Sequence, residues 1–260
     1  MTKKDMAQAY DYIKDEPEVT LFIQSDLELY GLESSEVALY AFDEPWDCIL
    51  LKYYSDFVLY SKKEQFNAKA VAAFLARQEK LIVISAKESH AKLLQPFFPQ
   101  IEIYGTYLCR CNKSTFKQGN ESSLPTKMLT SEDAPAIVKL YQQVDEFKRP
   151  FLEHPKEKLE GVVNNYTNGG VGFGVFENNT LVSAASITAL TKKGAMVVGV
   201  ATHPDYRSRG YASLLVNKVC SHSFAQGLDF LCLFYDNPTA GAIYRRLGFE
   251  PMDRWGMLKF

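Results

Sequence analysis

A short stretch rich in arginine and glycine carries the first chemical signal in this 260-residue chain. The apolar, largely β-branched run Val197–Thr202 predicts a strand buried on both faces, and Pro204 ends it because proline cannot donate to a sheet ladder. Arg207-Ser208-Arg209-Gly210 follows, and leucines at helical spacing come next. A turn between a strand and a helix points free backbone N–H groups and a positive helix end at one place. The pattern predicts a cradle for a diphosphate group.

Glycine at position 210 would let the backbone approach an anion, because glycine has no Cβ, and the two guanidinium groups add positive charge. The dinucleotide fingerprint needs three spaced glycines and the Walker loop needs Gly-Lys-Ser/Thr, so the spacing matches neither. The residues expected to hold the diphosphate, called the cradle below, are Arg207, Ser208, Arg209, Gly210, Tyr211, Ala212 and Ser213.

The spacing Arg207-x-x-Gly210-x-Ala212 resembles the acyl-CoA pyrophosphate loop of the GNAT N-acetyltransferase superfamily. A second segment, from Asn237 to Phe249, resembles that family's pattern Asn-x-x-Ala-x-x-x-Tyr-x-x-x-Gly-Phe and follows a predicted strand, as it does in the family. Gly248 is expected to end the helix of this segment, with Phe249 in the core. The alternative interpretation is an unrelated strand–helix unit with a chance turn. The resemblance implies acetyl-CoA (CoA) as the cofactor.

The resemblance also implies roles for particular residues. It places the pantetheine arm along Val200, Ala201 and Thr202, where the central strand of the family splays from the next strand, and it makes Tyr244 the general acid for the leaving thiolate. A phenol with a pKa of about 10 is protonated at neutral pH, as an acid must be. Asn237 is expected to cap the following helix or to bond the pantetheine.

The general base is less well defined. Many members of the family carry a glutamate on the central strand, but Met196–Val198 are apolar here. The remaining candidates are the ionisable residues His203, Glu146, Glu153 and Asp236. The aromatic and charged segment Val144–Glu153 is expected to form part of the acceptor pocket or a solvated loop.

The predicted elements that position these residues follow the GNAT order over residues 126–260: strand, two helices, three strands, helix, strand, helix, strand. The fold class is therefore α/β (α+β), with a mixed central sheet flanked by helices. Residues 1–112 give nearly the same order but lack the Arg/Gly turn, which predicts a degenerate GNAT-like half, or else an unrelated α+β cap. The predicted domains are 1–112, a polar linker at 113–125, and the cofactor-binding domain 126–260.

Composition narrows the class of protein. The net charge of −2 gives no electrostatic footprint for nucleic acid or an anionic membrane, and no apolar run approaches the length of a membrane span. Five cysteines without framework spacing, and no secretory signal, indicate a cytoplasmic protein. Cys109 and Cys111 lack partner ligands, so a structural role is favoured over a metal site.

The sequence thus predicts an N-acyltransferase that moves an acetyl group directly from acetyl-CoA to a primary amine of a small molecule or peptide, as a monomer or homodimer. The alternative is a CoA-binding sensor or assembly protein without turnover. The missing carboxylate on the central strand favours that alternative slightly, whereas Tyr244 argues against it.

Overall fold

The computed structural model describes residues 3–32, 34–119 and 124–260. The helices are α1 (Lys3–Ile13), α2 (Leu21–Tyr30), α3 (Ala68–Leu75), α4 (Glu88–Leu94), α5 (Ala134–Tyr141), α6 (Lys148–Glu153), α7 (Pro155–Thr167), α8 (Tyr211–Ala225) and α9 (Pro238–Arg246). The strands are β1 (Val37–Phe42), β2 (Cys48–Tyr53), β3 (Asp56–Tyr60), β4 (Val83–Lys87), β5 (Ile103–Asn112), β6 (Lys127–Leu129), β7 (Gly172–Glu177), β8 (Thr180–Thr188), β9 (Gly194–Thr202), β10 (Phe230–Tyr235) and β11 (Glu250–Lys259).

The chain forms two compact units. Unit 1 contains the described residues of Met1–Leu108 together with Pro251–Phe260, and unit 2 contains those of Cys109–Glu250. Both units combine a mixed sheet with flanking helices, so the α/β class predicted from the sequence is confirmed. The predicted domains end and begin at residues 112 and 126, whereas the units meet between Leu108 and Cys109. The last ten residues, Pro251–Phe260, belong to unit 1.

In unit 1 the strand order is β1-β2-β3-β4-β11. The first three strands are antiparallel neighbours, β3 and β4 are parallel, and β11 runs antiparallel to β4. Helix α3 makes the crossover that a parallel pair requires. The apolar faces of the sheet and of α3 and α4 form the core of this unit, with Leu50, Phe57, Val71 and Ile84 fully buried.

Unit 2 has the order β10-β9-β8-β7-β6. Strands β6 to β9 are antiparallel neighbours, and β9 runs parallel to β10 after the crossover helix α8. The hairpin between β7 and β8 turns at Asn178 and Asn179, both with positive φ (49° and 62°), which asparagine tolerates better than most residues. The central strand β9 is thus placed between an antiparallel and a parallel neighbour.

The predicted linker, 113–125, is only partly within the described residues, since 120–123 lie outside them. Its first part, 113–119, belongs to unit 2 and is hydrogen-bonded to other segments of that unit. The N–H of Lys113 donates to Asp229 O (3.0 Å), that of Lys117 to Leu247 O (3.0 Å), and that of Gly119 to the side chain of Asn217 (2.8 Å). These contacts are long-range in sequence, so the polar composition of the segment did not reveal them.

The segment Val144–Glu153, predicted to form part of the acceptor pocket or a solvated loop, contains a helix in the structure. Helix α6 begins at Lys148 and is preceded by a short turn, in which the N–H of Lys148 donates to Val144 O (2.8 Å). The rings of Phe147 and Phe151 both pack against Tyr141, which fixes this segment on α5. In the described part of the chain, every helix is too short or too polar to cross a membrane.

Candidate active site

Strands β9 and β10 separate part-way along their length. Their parallel pairing runs from Gly194 and Phe230 to Val197 and Leu233, although β9 continues to Thr202 and β10 to Tyr235. The predicted divergence of these strands is therefore observed. Beyond Val197, Val198 to Val200 become partly exposed, whereas the preceding residues of β9 are buried.

The opposite edge of β9 carries an irregularity at the same level. The register with β8 shifts between Ala184 and Ser186, and Gly199 has φ +62°. The Tyr141 hydroxyl donates to Gly199 O (3.1 Å), and a Cβ at position 199 would lie 2.0 Å from that hydroxyl. Glycine is therefore required both by the backbone conformation and by space. This pair was not predicted, although a glycine inside an apolar strand is itself a signal of a bulge.

The three residues predicted to contact pantetheine lie at the diverging end of β9. Ala201 is buried, whereas Val200 and Thr202 are partly exposed. The Ser183 hydroxyl donates to Ala201 O (2.9 Å) and lies 2.8 Å from the Thr202 hydroxyl. Strand β8 thus holds the end of β9 in place through side-chain bonds as well as through the ladder.

The cradle begins directly after β9. A short 3-10 turn, Pro204–Tyr206, is followed by Ser208 and Gly210, both with positive φ (64° and 82°). Helix α8 then starts at Tyr211. Its first i to i−4 hydrogen bond runs from the N–H of Leu214 to Gly210 O (3.0 Å). The N–H groups of Tyr211, Ala212 and Ser213 precede that bond, at the positive end of the helix.

Space for an anion exists above this turn. A Cβ built on Gly210 would meet nothing within 4 Å, so the backbone is open on that side. The ring of Tyr211 is turned away, because it is buried and its hydroxyl donates to Glu177 (2.8 Å). Tyr211 can therefore serve the cradle only through its backbone.

The two cradle arginines have different environments. Arg207 donates from Nε to Thr202 O (3.2 Å) and from Nη2 to a carboxylate oxygen of Glu146 (3.0 Å). Arg209 lies over the ring of Tyr206 at 4.8 Å and donates to Asp205 O (3.2 Å). Both charges are held at the turn by contacts with the backbone.

Helix α9 has the ends that the sequence predicts. The side chain of Asn237 accepts from Thr239 N (2.9 Å), so its capping role is confirmed. At the other end Gly248 has φ +97°, and the N–H groups of Gly248 and Phe249 donate to Arg245 O (3.1 Å) and Tyr244 O (3.0 Å), which is a Schellman motif. This motif fixes the backbone of Tyr244.

The side chain of Tyr244 is 6% exposed and packs near the rings of Tyr235 and Phe249. Burial, with a smaller contribution from the neighbouring Cys109 thiol, raises the pKa of Tyr244 to about 12. The phenol is therefore a stable proton donor at neutral pH. Its role as the general acid stays a prediction.

The candidate bases lie in polar pairs. Glu146 is bonded to Arg207, Glu153 to Arg149 (3.0 Å), and the His203 ring accepts from the N–H of Asp205 (3.3 Å). On the central strand Met196 and Val197 are buried and apolar, as expected. Asp236, the fourth candidate, directly follows β10.

An aromatic cluster follows the end of helix α5. Phe147 stacks on Tyr141 with ring centres 5.0 Å apart and an angle of 22°, and Phe151 meets Tyr141 edge-on at 4.9 Å. Tyr141 is buried, and burial raises the pKa of its hydroxyl, which keeps it a donor to Gly199. The cluster therefore connects the predicted acceptor segment to the bulge of β9.

Unit 1 has a different arrangement after its own central strand, β3. A cavity of about 340 Å³ is lined by Ser61, Lys62, Lys63, Glu64, Gln65, Lys87, Ser89, His90 and Asp253. Its lysines are paired with carboxylates: Lys62 with Asp15, Lys63 with Asp47 and Lys87 with Glu16. The cavity thus differs from the cradle of unit 2, where an arginine lies beside an open glycine.

The cysteines are buried, and Cys109 and Cys111 contribute to the core of unit 2. The described residues contain no group of three or more His, Cys, Asp or Glu side chains that could hold a metal ion. Both cysteines are therefore part of the apolar packing around Tyr244 and Leu247.

Comparison with known proteins agrees with this geometry. The model of the GNAT acetyltransferase family matches residues 32–258, so the chain belongs to this family and is an acyltransferase. No curated protein sequence matches the chain.

Among solved structures, a GCN5-related N-acetyltransferase from Kribbella flavida is 17% identical, with a TM-score of 0.65 over 93% of this chain and 95% of the other. A GCN5-related N-acetyltransferase-like protein from Streptococcus suis is 16% identical, with a TM-score of 0.66 over 99% of both chains. A tandem GNAT protein from the clavulanic acid biosynthesis pathway is 12% identical, with a TM-score of 0.61 over 92% of this chain and 87% of the other. At these identities the similarity concerns the fold, which is GNAT-like.

Proposed function

We propose that this chain transfers an acetyl group from acetyl-CoA directly to a primary amine of a small molecule or peptide. The observation that carries the proposal is the divergence of β9 and β10 immediately before a cradle with an open glycine. An extended, peptide-like arm can lie along a strand edge, while an anionic diphosphate can lie at a helix N-terminus. Both features meet at the end of β9.

The residues of the cradle fit the diphosphate. The backbone N–H groups at the start of α8 and the guanidinium groups of Arg207 and Arg209 would donate to it, and the absence of a Cβ at Gly210 leaves room for it. Val200, Ala201 and Thr202 would face the pantetheine arm, and Asn237 would combine its capping role with a contact to that arm. Acetyl-CoA, when bound, supplies the acetyl group as a thioester.

Tyr244 is assigned the proton donor. As the C–N bond forms and the C–S bond breaks, its Oη would donate a proton to the departing sulfur. The proton that the attacking amine loses would pass to solvent water, and the phenolate would be reprotonated from solvent. Burial keeps the phenol protonated, because it raises the pKa to about 12. The Schellman motif that ends α9 keeps this residue in one position.

Residues 1–112 are proposed to be a degenerate GNAT-like half. Three antiparallel strands, a crossover helix and a parallel strand recur in both units, as β1-β2-β3-α3-β4 and as β7-β8-β9-α8-β10. In unit 1 the segment after the central strand contains lysines and lacks the Arg/Gly turn, so CoA is expected to bind once per chain. Calorimetry with CoA would count the sites.

The test of the function is a product search. The protein is incubated with acetyl-CoA and a metabolite extract, and acetylated amines are detected by mass spectrometry. We expect new acetylated products that depend on the protein and are strongly reduced in Tyr244→Phe. Tight CoA binding without any acetylated product would instead support a CoA sensor, and the absence of CoA binding would contradict the proposal as a whole.

A further inference from the structure

An ion pair connects the cradle to the aromatic cluster of unit 2. Arg207 Nη2 lies 3.0 Å from Glu146 Oε2, and the two side chains are 45% and 50% exposed. Glu146 directly precedes Phe147, whose ring stacks on Tyr141. The same carboxylate therefore neighbours both the predicted diphosphate site and the predicted acceptor segment.

We infer that Glu146 is a positioning residue that exchanges one cation for another during the reaction cycle. It pairs with Arg207 when the cradle holds no diphosphate, and it binds the cationic amine of the acceptor once the diphosphate has taken Arg207. This inference rests on the proposed function and specifies that its acceptor binds as an ammonium ion, which loses a proton to solvent before the neutral amine attacks the thioester.

The first step is the competition for Arg207. An ion pair between half-exposed side chains is weak, because water solvates both charges and the side chains lose entropy. A diphosphate offers several charged oxygens that a guanidinium can bind through two parallel hydrogen bonds. The neighbouring backbone N–H groups at the start of α8 also donate to the diphosphate and strengthen its binding. The diphosphate therefore displaces Glu146 from Arg207.

The second step concerns the cation that Glu146 binds after Arg207 has moved to the diphosphate. The two other cations of this segment already have carboxylate partners, since Lys148 pairs with Asp145 (2.6 Å) and Arg149 with Glu153 (3.0 Å). The released carboxylate is thus left without a cationic partner from this segment. The aromatic rings of Phe147 and Phe151 lie in the same segment, and a carboxylate combined with aromatic faces is a binding chemistry suited to an organic ammonium group.

The exchange predicts an order of binding. In the free protein Arg207 is paired with the Glu146 carboxylate to which the acceptor would bind, so the acceptor binds tightly only after the cofactor has bound. By thermodynamic linkage, a bound cationic amine then strengthens the binding of CoA to the same extent.

The first experiment measures CoA affinity by calorimetry in a double-mutant cycle of Glu146→Gln and Arg207→Ala, with Asp145→Asn as the control. Asp145 is adjacent and loses the same charge, but its own partner is Lys148. We expect Glu146→Gln to tighten CoA binding by about two- to five-fold. The same substitution should have no such effect when Arg207 is alanine. Asp145→Asn should tighten CoA binding less than Glu146→Gln does. An unchanged affinity in Glu146→Gln, an equal gain in Asp145→Asn, or a gain that persists without Arg207 would overturn the exchange.

The second experiment measures amine binding to the CoA-loaded and the free protein. The probes are cadaverine, a diamine with only positive charge, and β-alanine, an amine that carries a carboxylate. We expect cadaverine to bind the CoA-loaded protein at least about five-fold more tightly than it binds the free protein, as a coupling of ordinary size allows. Glu146→Gln should remove this difference, whereas Asp145→Asn should keep it. Equal cadaverine affinity in the two states, or a preference for β-alanine, would overturn the assignment of a cationic acceptor.

The wild-type titration separates this inference from the proposed function. If the wild-type protein fails to bind CoA, the proposed function fails. If it binds CoA and Glu146→Gln behaves as the wild type, only the role of Glu146 fails.

Discussion

The hydroxyl of Tyr141 donates a hydrogen bond to the carbonyl oxygen of Gly199, which lies 58 positions further along the chain and 3.1 Å away. This bond ties helix α5 to the central strand at the level where β9 leaves β10. The bond stabilises the bulge of β9, because the buried Tyr141 phenol donates to a carbonyl that the irregular ladder would otherwise leave without a donor. The position of the predicted thioester end of the site thus depends on a residue outside both sequence motifs.

Tyr141→Phe should destabilise the protein by about 1–3 kcal/mol, because it leaves a carbonyl without its donor, and it should lower turnover. Urea unfolding and steady-state kinetics would measure the two effects. Tyr166→Phe is the matched control, since Tyr166 is bonded to Ser186 on β8 (2.7 Å) instead of to β9. Equal losses of turnover in both variants would contradict a specific role for the bond to Gly199.

Gly210→Ala should weaken CoA binding at least about ten-fold, because the new Cβ occupies the space of the diphosphate and disturbs hydrogen bonds worth about 1.5–3 kcal/mol each. Gly227→Ala is the matched control. Both glycines have positive φ (82° and 98°), and a Cβ at either would meet nothing within 4 Å. The strain cost of about 1–2 kcal/mol should therefore be similar in the two variants, while only Gly210→Ala loses CoA affinity. Calorimetry and thermal unfolding, measured on both proteins, would check this.

Tyr244→Phe should reduce turnover by about 10²–10⁴-fold and leave CoA affinity within a few-fold, because the ring and its packing are kept. The pH dependence gives a second test. A pKa of about 12 means that Tyr244 stays protonated as the pH rises to 10, so it contributes no alkaline loss of activity in that range. The pH–rate profile of the variant should thus have the shape of the wild-type profile at a lower level. An unchanged turnover would show that the thiolate leaves without help from Tyr244.

The cysteines should be unreactive in the native protein. All five are buried, and burial raises the pKa of Cys48 and Cys109 to about 12 and that of Cys111 to about 11, so the thiolate is scarce at pH 8. An aromatic disulfide reagent should titrate fewer than one thiol per chain in buffer and five in denaturant. Rapid reaction of any thiol in buffer would contradict the buried positions.

The sequence predicted those parts of the site that local residues determine. The order of strand, turn and helix, the cap at Asn237 and the glycine end of α9 each depend on a few adjacent residues whose conformational preferences are strong. For the same reason the six strands predicted over residues 126–260 are all observed, as β6 to β11.

Contacts between distant segments were outside the reach of such patterns. Three such contacts are the bond of Tyr141 to Gly199, the ion pair of Arg207 with Glu146, and the hydrogen bonds of residues 113–119 to distant segments of unit 2. Each joins segments whose spacing in the sequence is arbitrary. A polar composition indicates that side chains face solvent, but it does not show whether the backbone of the same segment is hydrogen-bonded to the rest of the protein. The predicted linker illustrates this, because backbone N–H groups of residues 113–119 are bonded to distant segments of the chain at three positions.

The place of β11 in unit 1 has a consequence for the order of events during synthesis. Strand β11 pairs with β4, so that Gly256 lies opposite Ala86, and all of unit 2 is translated between them. At translation rates of about 5–20 residues per second, β4 must wait on the order of ten seconds for its neighbour. Unit 2 can fold on the ribosome during this interval, while one edge of β4 presents unpaired backbone groups to other chains. The N-terminal part of the polypeptide is thus made first but completes its sheet last, and the nascent chain is most vulnerable to aggregation in that interval.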